Sequence, residues 1–219
     1  MKLAPRQLEH HLKKQLAPIY LLSGDEPLQM MEAADLLRKV AAEKGYSERQ
    51  IIHAEAGFDW SVLRAEAAAM SLFSERKVLD LRLRSGKPGR DGSKALVQYA
   101  SRSPEDNVLL IQTGKLDRSA MSSAWVKALD KAGVVIQIWE LSPPETLNFV
   151  TRRLQAAGFI PDREAARLLT ERVEGNLLAA VQEVEKLCLL RKPGPLDAMD
   201  VLTAVTDSAR YDPSFCFFV

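Results

Sequence analysis

The sequence has 219 residues, of which 47% are apolar and 27% charged, and its formal net charge is +1. This composition is typical of a globular protein, and the near-zero net charge excludes binding to nucleic acid or membranes through bulk charge. Two cysteines without a Cys-x-x-Cys or Cys/His cluster argue against a disulfide framework and structural zinc. No apolar run reaches the roughly 18 residues that span a bilayer. The charged start, MKLAPRQLEHHLKKQ, lacks an apolar signal core, so a cytoplasmic location is expected.

The first half of the chain alternates short apolar runs with helical patterns. Leu8, Leu12 and Leu16 form one stripe of a first helix, which Pro18 ends. Strands are predicted at IYLL, QIIHAE and RKVLDLRL. Helices are predicted from Pro27 to about Lys44 and over WSVLRAEAAAM, whereas SGKPGRDGS (85–93) is predicted as a loop because it is dense in Gly and Pro.

The same alternation continues to residue 141. KALVQYAS is predicted to be helical, NVLLIQT to be a strong fourth strand and VVIQIWEL to be a fifth. DRSAMSSAWVKALDKAG is predicted as one helix, with Asp117 as its cap and Gly133 past its end. Residues 1–141 are therefore predicted to form an α/β domain, a parallel five-stranded sheet with helices on both faces.

After Ser142 only helical patterns follow. Four helices without an intervening strand are predicted between residues 142 and 209, with Asp162 as a cap, and they form a small all-α bundle. An apolar tail, residues 210–219, follows. A parallel α/β domain followed by a helical bundle resembles the arrangement of AAA+/P-loop modules, an analogy of fold that says nothing about activity.

The residues that nucleotide chemistry requires do not stand in the expected places. The turn after the first strand, SGDEPLQMM, has one glycine, no lysine and two acids, Asp25 and Glu26. Asp80 in KVLDLRL is not followed by a second acid, and its alternation with leucines predicts a side chain facing solvent or a loop. In the bundle, Leu178 stands where a nucleotide-sensing arginine is expected. The sequence therefore favours a nucleotide-binding scaffold without nucleotide chemistry, with no cofactor, metal or catalytic residue.

Other catalytic residue types are isolated. His10, His11 and His53 have no serine or cysteine partner in a motif, so a structural role is predicted for each. Cys188 is predicted to lie on an apolar helix face and to be part of the core.

Four segments together resemble one family. IYLLSGDEPL, AMSLFSERK, NVLLIQTGKLD and VEGNLLAAVQEVEKL are similar to the delta subunit of the bacterial DNA polymerase III clamp loader, over nearly the whole chain. MSLF after an amphipathic helix and EGNLLA in the bundle are the more specific of these segments.

The resemblance implies a function. Members of this family are AAA+-like modules without an ATP site that bind the ring-shaped sliding clamp and open one of its interfaces. They belong to the DNA polymerase III holoenzyme, a DNA-directed DNA polymerase and nucleotidyltransferase, in the cytoplasmic, nucleoid-associated replisome. The implied partners are the clamp (beta subunit), the gamma/tau and delta prime subunits and, through the complex, primed DNA. The family's C-terminal collar domain is expected to begin where this sequence stops, and residues 210–219 look like its start, which puts loader assembly in doubt.

The resemblance also assigns a site. The clamp-binding element falls on Met70, Ser71, Leu72 and Phe73. From the residues alone core burial is the default for large apolar side chains. However, neighbours in an extended segment point to opposite sides, and Ser71 and Ser74 flank the pair. With the resemblance, Leu72 and Phe73 are predicted to point outward as binding anchors.

A basic run follows this element. It is predicted either as a solvated loop or as a contact to DNA phosphates or to an acidic clamp surface, and its candidate contact residues are Arg76, Lys77, Arg82, Arg84, Lys87 and Arg90. Two alternatives stay open for the chain, a divergent AAA+ ATPase and a DNA-binding helical module. Nine basic and eleven acidic residues between positions 141 and 219 disfavour the second.

Overall fold

The structure is a computed structural model that describes residues 1–68, 76–84 and 86–209. The chain divides into two compact units, Met1–Trp139 and a second that begins at Glu140. In chain order the elements of the first unit are β1 (Lys2–Leu3), a 3-10 helix (Pro5–Gln7), α1 (Leu8–Lys14), β2 (Ile19–Gly24), α2 (Pro27–Glu43), β3 (Glu48–Ala54), α3 (Ser61–Ala68), β4 (Lys77–Leu83), α4 (Gly89–Ser101), β5 (Asn107–Thr113), α5 (Arg118–Met121), α6 (Ala124–Ala132) and β6 (Val134–Ile138).

The first unit is built on a parallel sheet with strand order β1-β6-β2-β5-β4-β3. This is the AAA+-like α/β architecture that the sequence predicts, but the described sheet has six strands and the prediction of five was wrong. The sixth strand is β1, where Lys2 and Leu3 pair with Val135 and Ile136. Two residues are too few for an alternating pattern, so periodicity could not reveal this strand.

The alternation of side chains along the strands divides the core in two. Leu21, Leu81 and Ile111 face α3, α4 and α6 in one core, whereas Tyr20 and Leu110 face α1 and α2 in the other. All six residues of β2 are buried, as expected for a central parallel strand.

Two helix boundaries differ from the sequence expectation. α4 begins at Gly89, inside the segment predicted as a loop. Gly92 of this helix packs closely on Trp60, since a Cβ there would lie 2.4 Å from the indole ring. The predicted helix over residues 117–133 is two helices, α5 and α6, separated at Ser122 and Ser123. Asp117 caps the first as predicted, by accepting the Ala120 N–H.

The second unit is mainly helical. Its elements are α7 (Pro143–Ala156), β7 (Ile160–Pro161), α8 (Arg163–Val173), α9 (Leu177–Leu190), β8 (Pro195–Leu196) and α10 (Ala198–Ala209). The prediction of an all-α bundle without strands was wrong in one detail, because β7 and β8 form a short parallel ladder. Asp162 caps α8, as predicted, by accepting the Ala165 N–H. None of the helices in the described ranges is long and apolar enough to cross a bilayer.

Candidate functional site

The turn after β2 places a carboxylate on the amino end of α2. Glu26 is the N-cap of this helix, and its two carboxylate oxygens accept the backbone N–H groups of Leu28 (3.2 Å) and Gln29 (2.6 Å). The Glu26 residue is only 7% exposed. In nucleotide-binding α/β folds a phosphate group accepts such N–H groups at this place in the fold. Here a side chain of the protein itself occupies them.

Further contacts brace the same edge of the sheet, at the carboxyl ends of β2, β5 and β6. Asp25 pairs with Lys115 at 3.7 Å, and the Lys115 ammonium lies 5.0 Å from the centre of the Trp139 ring. The Gln29 side chain donates to the Trp139 carbonyl. Ser23 donates its hydroxyl to the Gly114 carbonyl and accepts the Leu116 N–H. At this edge, where nucleotide-binding folds hold their ligand, these polar groups bind one another.

Asp80 is completely buried, so the prediction that it faces solvent or a loop was wrong. One of its oxygens accepts from Arg38 (3.1 Å) and from Arg49 (Nη2, 2.5 Å), and the other from the Gln112 amide (2.7 Å). Arg82 lies 3.8 Å away. The alternation rule placed Asp80 on the correct side of the strand, away from the leucines. Arginines from α2 and β3 then bury it, and they are distant in sequence.

Met70, Ser71, Leu72 and Phe73 lie outside the described residues, as does Ser74, so their position stays a prediction. The flanks of this segment are described, and they are held together. The Asn107 side chain donates to the Ala67 carbonyl of α3 (2.9 Å), and Asn107 is also the sheet partner of Lys77, the first residue of β4. Both ends of the undescribed segment 69–75 are therefore attached near one residue at the amino edge of the sheet.

The predicted basic contacts do not form one patch. Arg76 and Lys77 lie at the amino end of β4, where Arg76 pairs with Asp106 and Lys77 is buried 3.9 Å from Glu66. The remaining four lie toward the carboxyl end of β4 or after it: Arg82, Arg84, Lys87 and Arg90. At about 3.3 Å per residue the two groups are roughly 20 Å apart.

The histidines, Cys188 and Leu178 were the remaining residues considered in the sequence. His11 is buried, with its Nε2 3.2 Å from the Tyr20 hydroxyl, which agrees with the predicted structural role. His10 and His53 are exposed. Cys188 is exposed, so its predicted place in a core was wrong, because α9 buries Val184 and Leu187 instead. Leu178 is exposed near the start of α9. Among the described residues no group of three or more His, Cys, Asp or Glu is placed to hold a metal ion.

Sequence reasoning missed the capping role of Glu26 and the arginines around Asp80. The first had a visible signal, since an acid directly before a proline at a helix start fits an N-cap. The second had none, because Arg38, Arg49 and Asp80 are joined only by the fold.

Comparisons with known proteins agree with this architecture. Residues 20–138 match the family model described as DNA polymerase III, delta subunit. The DNA polymerase III subunit delta of Escherichia coli (strain K12) is 31% identical over 213 residues, which are 97% of this chain and 62% of that protein. The Haemophilus influenzae subunit delta is 29% identical with the same coverage. This chain therefore spans less than two thirds of the length of these relatives.

Solved structures show the same fold. The DNA clamp loader delta protein of Bacillus subtilis superposes with a TM-score of 0.69 at 20% identity, covering 91% of this chain and 61% of that one. The RuvB Holliday junction branch migration motor of Thermotoga maritima superposes with a TM-score of 0.54 at 14% identity, covering 92% and 68%. At these identities the likeness shows the fold alone. The family match, which extends over more than half of the residues, shows that this chain belongs to the DNA polymerase III delta subunit family.

Proposed function

We propose that this chain is a clamp-loader subunit that binds the ring-shaped sliding clamp and holds one of its interfaces open, without hydrolysing ATP itself. The observation that carries the proposal is the anchoring of both flanks of segment 69–75 by Asn107, at the end of a helix with a buried Leu63. This segment contains the MSLF residues that resemble the family's clamp-binding element. A fixed base lowers the entropy lost when a short segment binds a partner.

The chemistry of Leu72 and Phe73 suits this role. Burial of a leucine or phenylalanine side chain contributes about 1.5–3 kcal/mol. Two adjacent anchors in a preformed apolar pocket can dominate a modest interface. Anchoring alone does not open a ring, because a ligand shifts an equilibrium only by its preference for one state. The proposal therefore requires that the rest of the first unit contacts the open ring better than the closed ring.

The first test removes both anchors. We expect the double variant Leu72→Ala, Phe73→Ala to weaken binding to the cognate clamp roughly 10²–10⁴-fold, measured by surface plasmon resonance. The matched control removes two exposed apolar side chains of the second unit, Leu189 (87% exposed) and Met199 (67% exposed). The control variant is expected to bind like the wild type. A double variant at Leu72 and Phe73 that is folded and binds the clamp normally would refute the proposal.

A separate experiment tests the proposal that the chain does not bind or hydrolyse ATP. The Glu26 carboxylate occupies the N–H groups on which a phosphate would bind, and Asp25 adds a second negative charge beside it. We therefore expect isothermal titration calorimetry to detect no binding of Mg-ATP at millimolar concentration. Clear heat of binding that disappears on addition of excess ADP would favour the alternative, a divergent AAA+ ATPase.

The proposal extends to partners of the complex. The proposed partners are the beta clamp, the gamma/tau and delta prime subunits and, through the complex, primed DNA in the cytoplasmic replisome. Size-exclusion chromatography separates these contacts. We expect the 219-residue chain to elute with the clamp. A separate run with the gamma/tau and delta prime subunits tests assembly into the loader.

A further inference from the structure

The outer strand of the sheet leaves one of its faces uncovered. Along β3, Ile52 and Ala54 are buried in the core beneath α3 and α4. The alternate residues Arg49, Ile51 and His53 are exposed, and the core beneath α1 and α2 contains no residue of β3. Ile51 is 41% exposed. β3 is also the last strand of the described sheet, so one side of its backbone faces away from β4.

The register of the sheet places cationic side chains around this uncovered face. His53 is the partner of Arg82 on β4, and Ile51 is the partner of Asp80. We call the set Arg38, Arg49, Ile51, His53, Asp80 and Arg82 the β3-edge surface. Its apolar residue, Ile51, lies between Arg49 and His53 on the strand.

The arginines of the β3-edge surface are held in place by Asp80, but not all of their N–H donors are occupied. Asp80 is 0% exposed and binds Arg38 and Arg49, whose side chains are 19% and 36% exposed, while Arg82 is 43% exposed. Arg38 also pairs with Asp35. Each guanidinium carries about five N–H donors, and the oxygens of two carboxylates cannot accept from three such groups completely. The buried acid therefore fixes the arginines while leaving donors for another anion.

We propose that the β3-edge surface binds an extended acidic peptide segment of a protein partner, which adds a strand beside β3. Strand addition supplies backbone hydrogen bonds, and alternate side chains supply selectivity. The register predicts the pattern acid–apolar–acid at alternate positions, with acids beside Arg49 and His53 and an apolar side chain beside Ile51. The proposal is independent of clamp binding, and its failure would leave the proposed function unchanged.

Two observations favour a peptide over nucleic acid. The surface adjoins an open strand edge, which a peptide backbone can pair with and a phosphodiester backbone cannot. It also has an exposed isoleucine but no phenylalanine, tyrosine or tryptophan among its residues, and the large rings of these side chains are the main stacking platforms for single-stranded nucleic acids. Glu55, the one acid directly after β3, is already paired with Arg84.

The test uses the full chain and a fluorescein-labelled peptide of about ten residues with the core Glu-Thr-Val-Thr-Glu. We expect fluorescence anisotropy to show a Kd in the range of about 10–100 μM that rises with salt. A peptide with the core Lys-Thr-Val-Thr-Lys is expected not to bind. Hydrogen exchange of the β3 amides is expected to slow when the acidic peptide binds, because strand addition protects them.

Introduction of a negative charge at single exposed positions localises the binding. His53→Glu is expected to weaken the acidic peptide at least about tenfold, through repulsion between like charges. The control, Lys127→Glu, also introduces a glutamate, but on α6 at the other face of the sheet. It is expected to leave binding of the acidic peptide unchanged. Ile51→Thr shortens the apolar contact without adding charge. Circular dichroism melting curves confirm that each variant is folded.

Three results would overturn the proposal. The first is no binding of the acidic peptide up to about 1 mM, which would mean that the charges only guard the strand edge against pairing. The second is equal weakening by His53→Glu and Lys127→Glu. The third is binding of a thymidine oligonucleotide, abolished by His53→Glu, without binding of the peptide, which would assign the surface to nucleic acid.

Discussion

At the scale of single residues, the surroundings of Asp80 show what a local pattern can and cannot predict. The alternation in KVLDLRL correctly separates Asp80 from Leu79 and Leu81. It does not reveal burial, because the groups that cover Asp80 come from α2, β3 and β5. A charge on the polar side of a strand is exposed only when no long side chain reaches over it.

Replacement of Asp80 tests whether its buried charge stabilises the fold. Asp80→Asn keeps the shape of the side chain but leaves Arg38 and Arg49 without their shared counter-charge. Loss of one partner of a buried ion pair costs about 3 kcal/mol. We expect a decrease of this size in the free energy of unfolding, measured by urea denaturation.

The control for Asp80 is an exposed ion pair at the amino edge of the sheet, formed by the residues directly before β4 and β5. Asp106 and Arg76 are 79% and 52% exposed at a distance of 3.6 Å. Exposed pairs contribute about 0–1 kcal/mol, so Asp106→Asn is expected to have little effect. Equal losses from both substitutions would contradict a special role of the buried cluster.

His11 makes stability depend on pH. Burial, followed by the nearby positive charges of Lys44 and the amino terminus, lowers the pKa of His11 below its usual value of 6.5. The Tyr20 hydroxyl accepts the Ala17 N–H and lies against the imidazole, and burial raises the pKa of Tyr20 to about 12. The neutral ring is therefore the form that fits the folded chain.

The sign of the effect follows from proton uptake. Below pH 6.5 the unfolded chain takes up a proton at His11 before the folded chain does, so the free energy of unfolding decreases as the pH falls. We expect this decrease between about pH 7 and pH 5 to be smaller in His11→Leu than in the wild type, in urea denaturation series. His53→Gln retains His11 and should keep the wild-type dependence. An unchanged slope in His11→Leu would contradict the assignment.

At the scale of elements, two glycines set how closely strands and helices approach. A Cβ on Gly24 would lie 2.1 Å from the Ile138 carbonyl oxygen of β6, and a Cβ on Gly133 would lie 2.2 Å from the Ile19 carbonyl oxygen of β2. Gly133 follows α6 as the sequence predicts. Its backbone is extended, however, so the residue is required for close packing and not for a left-handed turn.

Alanine substitution tests this close approach. Gly24→Ala forces a methyl group against a backbone atom that cannot rotate away, and overpacking of this kind costs about 1–3 kcal/mol. Gly114 also lies at the carboxyl edge of the sheet, but a Cβ there meets nothing within 4 Å. We expect Gly24→Ala to lower the thermal midpoint by several degrees and Gly114→Ala to leave it nearly unchanged. Similar midpoints for the two variants would show that β2 and β6 can separate without cost.

Elements with a strong period were predicted well, and short elements were not. The central strand β5 coincides with NVLLIQT, and Leu8 and Leu12 of α1 are buried as their spacing predicts. β1, β7 and β8 have two residues each and depend on partners far along the chain. Such strands have no periodic signal of their own, since pairing alone defines them.

At the scale of the whole molecule, the first unit contains complete hydrophobic cores. Among the described residues, both cores of the sheet are built from residues between Leu3 and Ile138, which is the last residue of β6. We therefore expect a fragment of residues 1–139 to unfold cooperatively, with a near-ultraviolet circular dichroism signal from its buried Trp125 and Tyr20. A fragment that shows helical far-ultraviolet signal but no cooperative transition would contradict the independence of this unit.

The two edges of the sheet carry different parts of the candidate site. Asn107 anchors the flanks of segment 69–75 at the amino edge, and Glu26 occupies the amino end of α2 at the carboxyl edge. The missing lysine in the turn after β2 predicted that this turn has no phosphate chemistry. The acid before Pro27 indicated an N-cap, but that both Glu26 oxygens accept N–H groups of α2 depends on the rotation of one side chain and could not be predicted from the sequence. The clamp-binding residues remain a prediction from sequence and resemblance.

The Glu26 cap has a consequence for how this fold can change over generations. A mutation that restored a lysine to the turn would bring it next to Glu26, which would pair with it and still hold the N–H groups of Leu28 and Gln29. Removal of Glu26 alone would cost about 1 kcal/mol of helix capping before any ligand could compensate. Neither substitution by itself would therefore create a phosphate site. The cap therefore makes a return to phosphate binding at this helix end depend on at least two substitutions, one that removes Glu26 and one that supplies a cation.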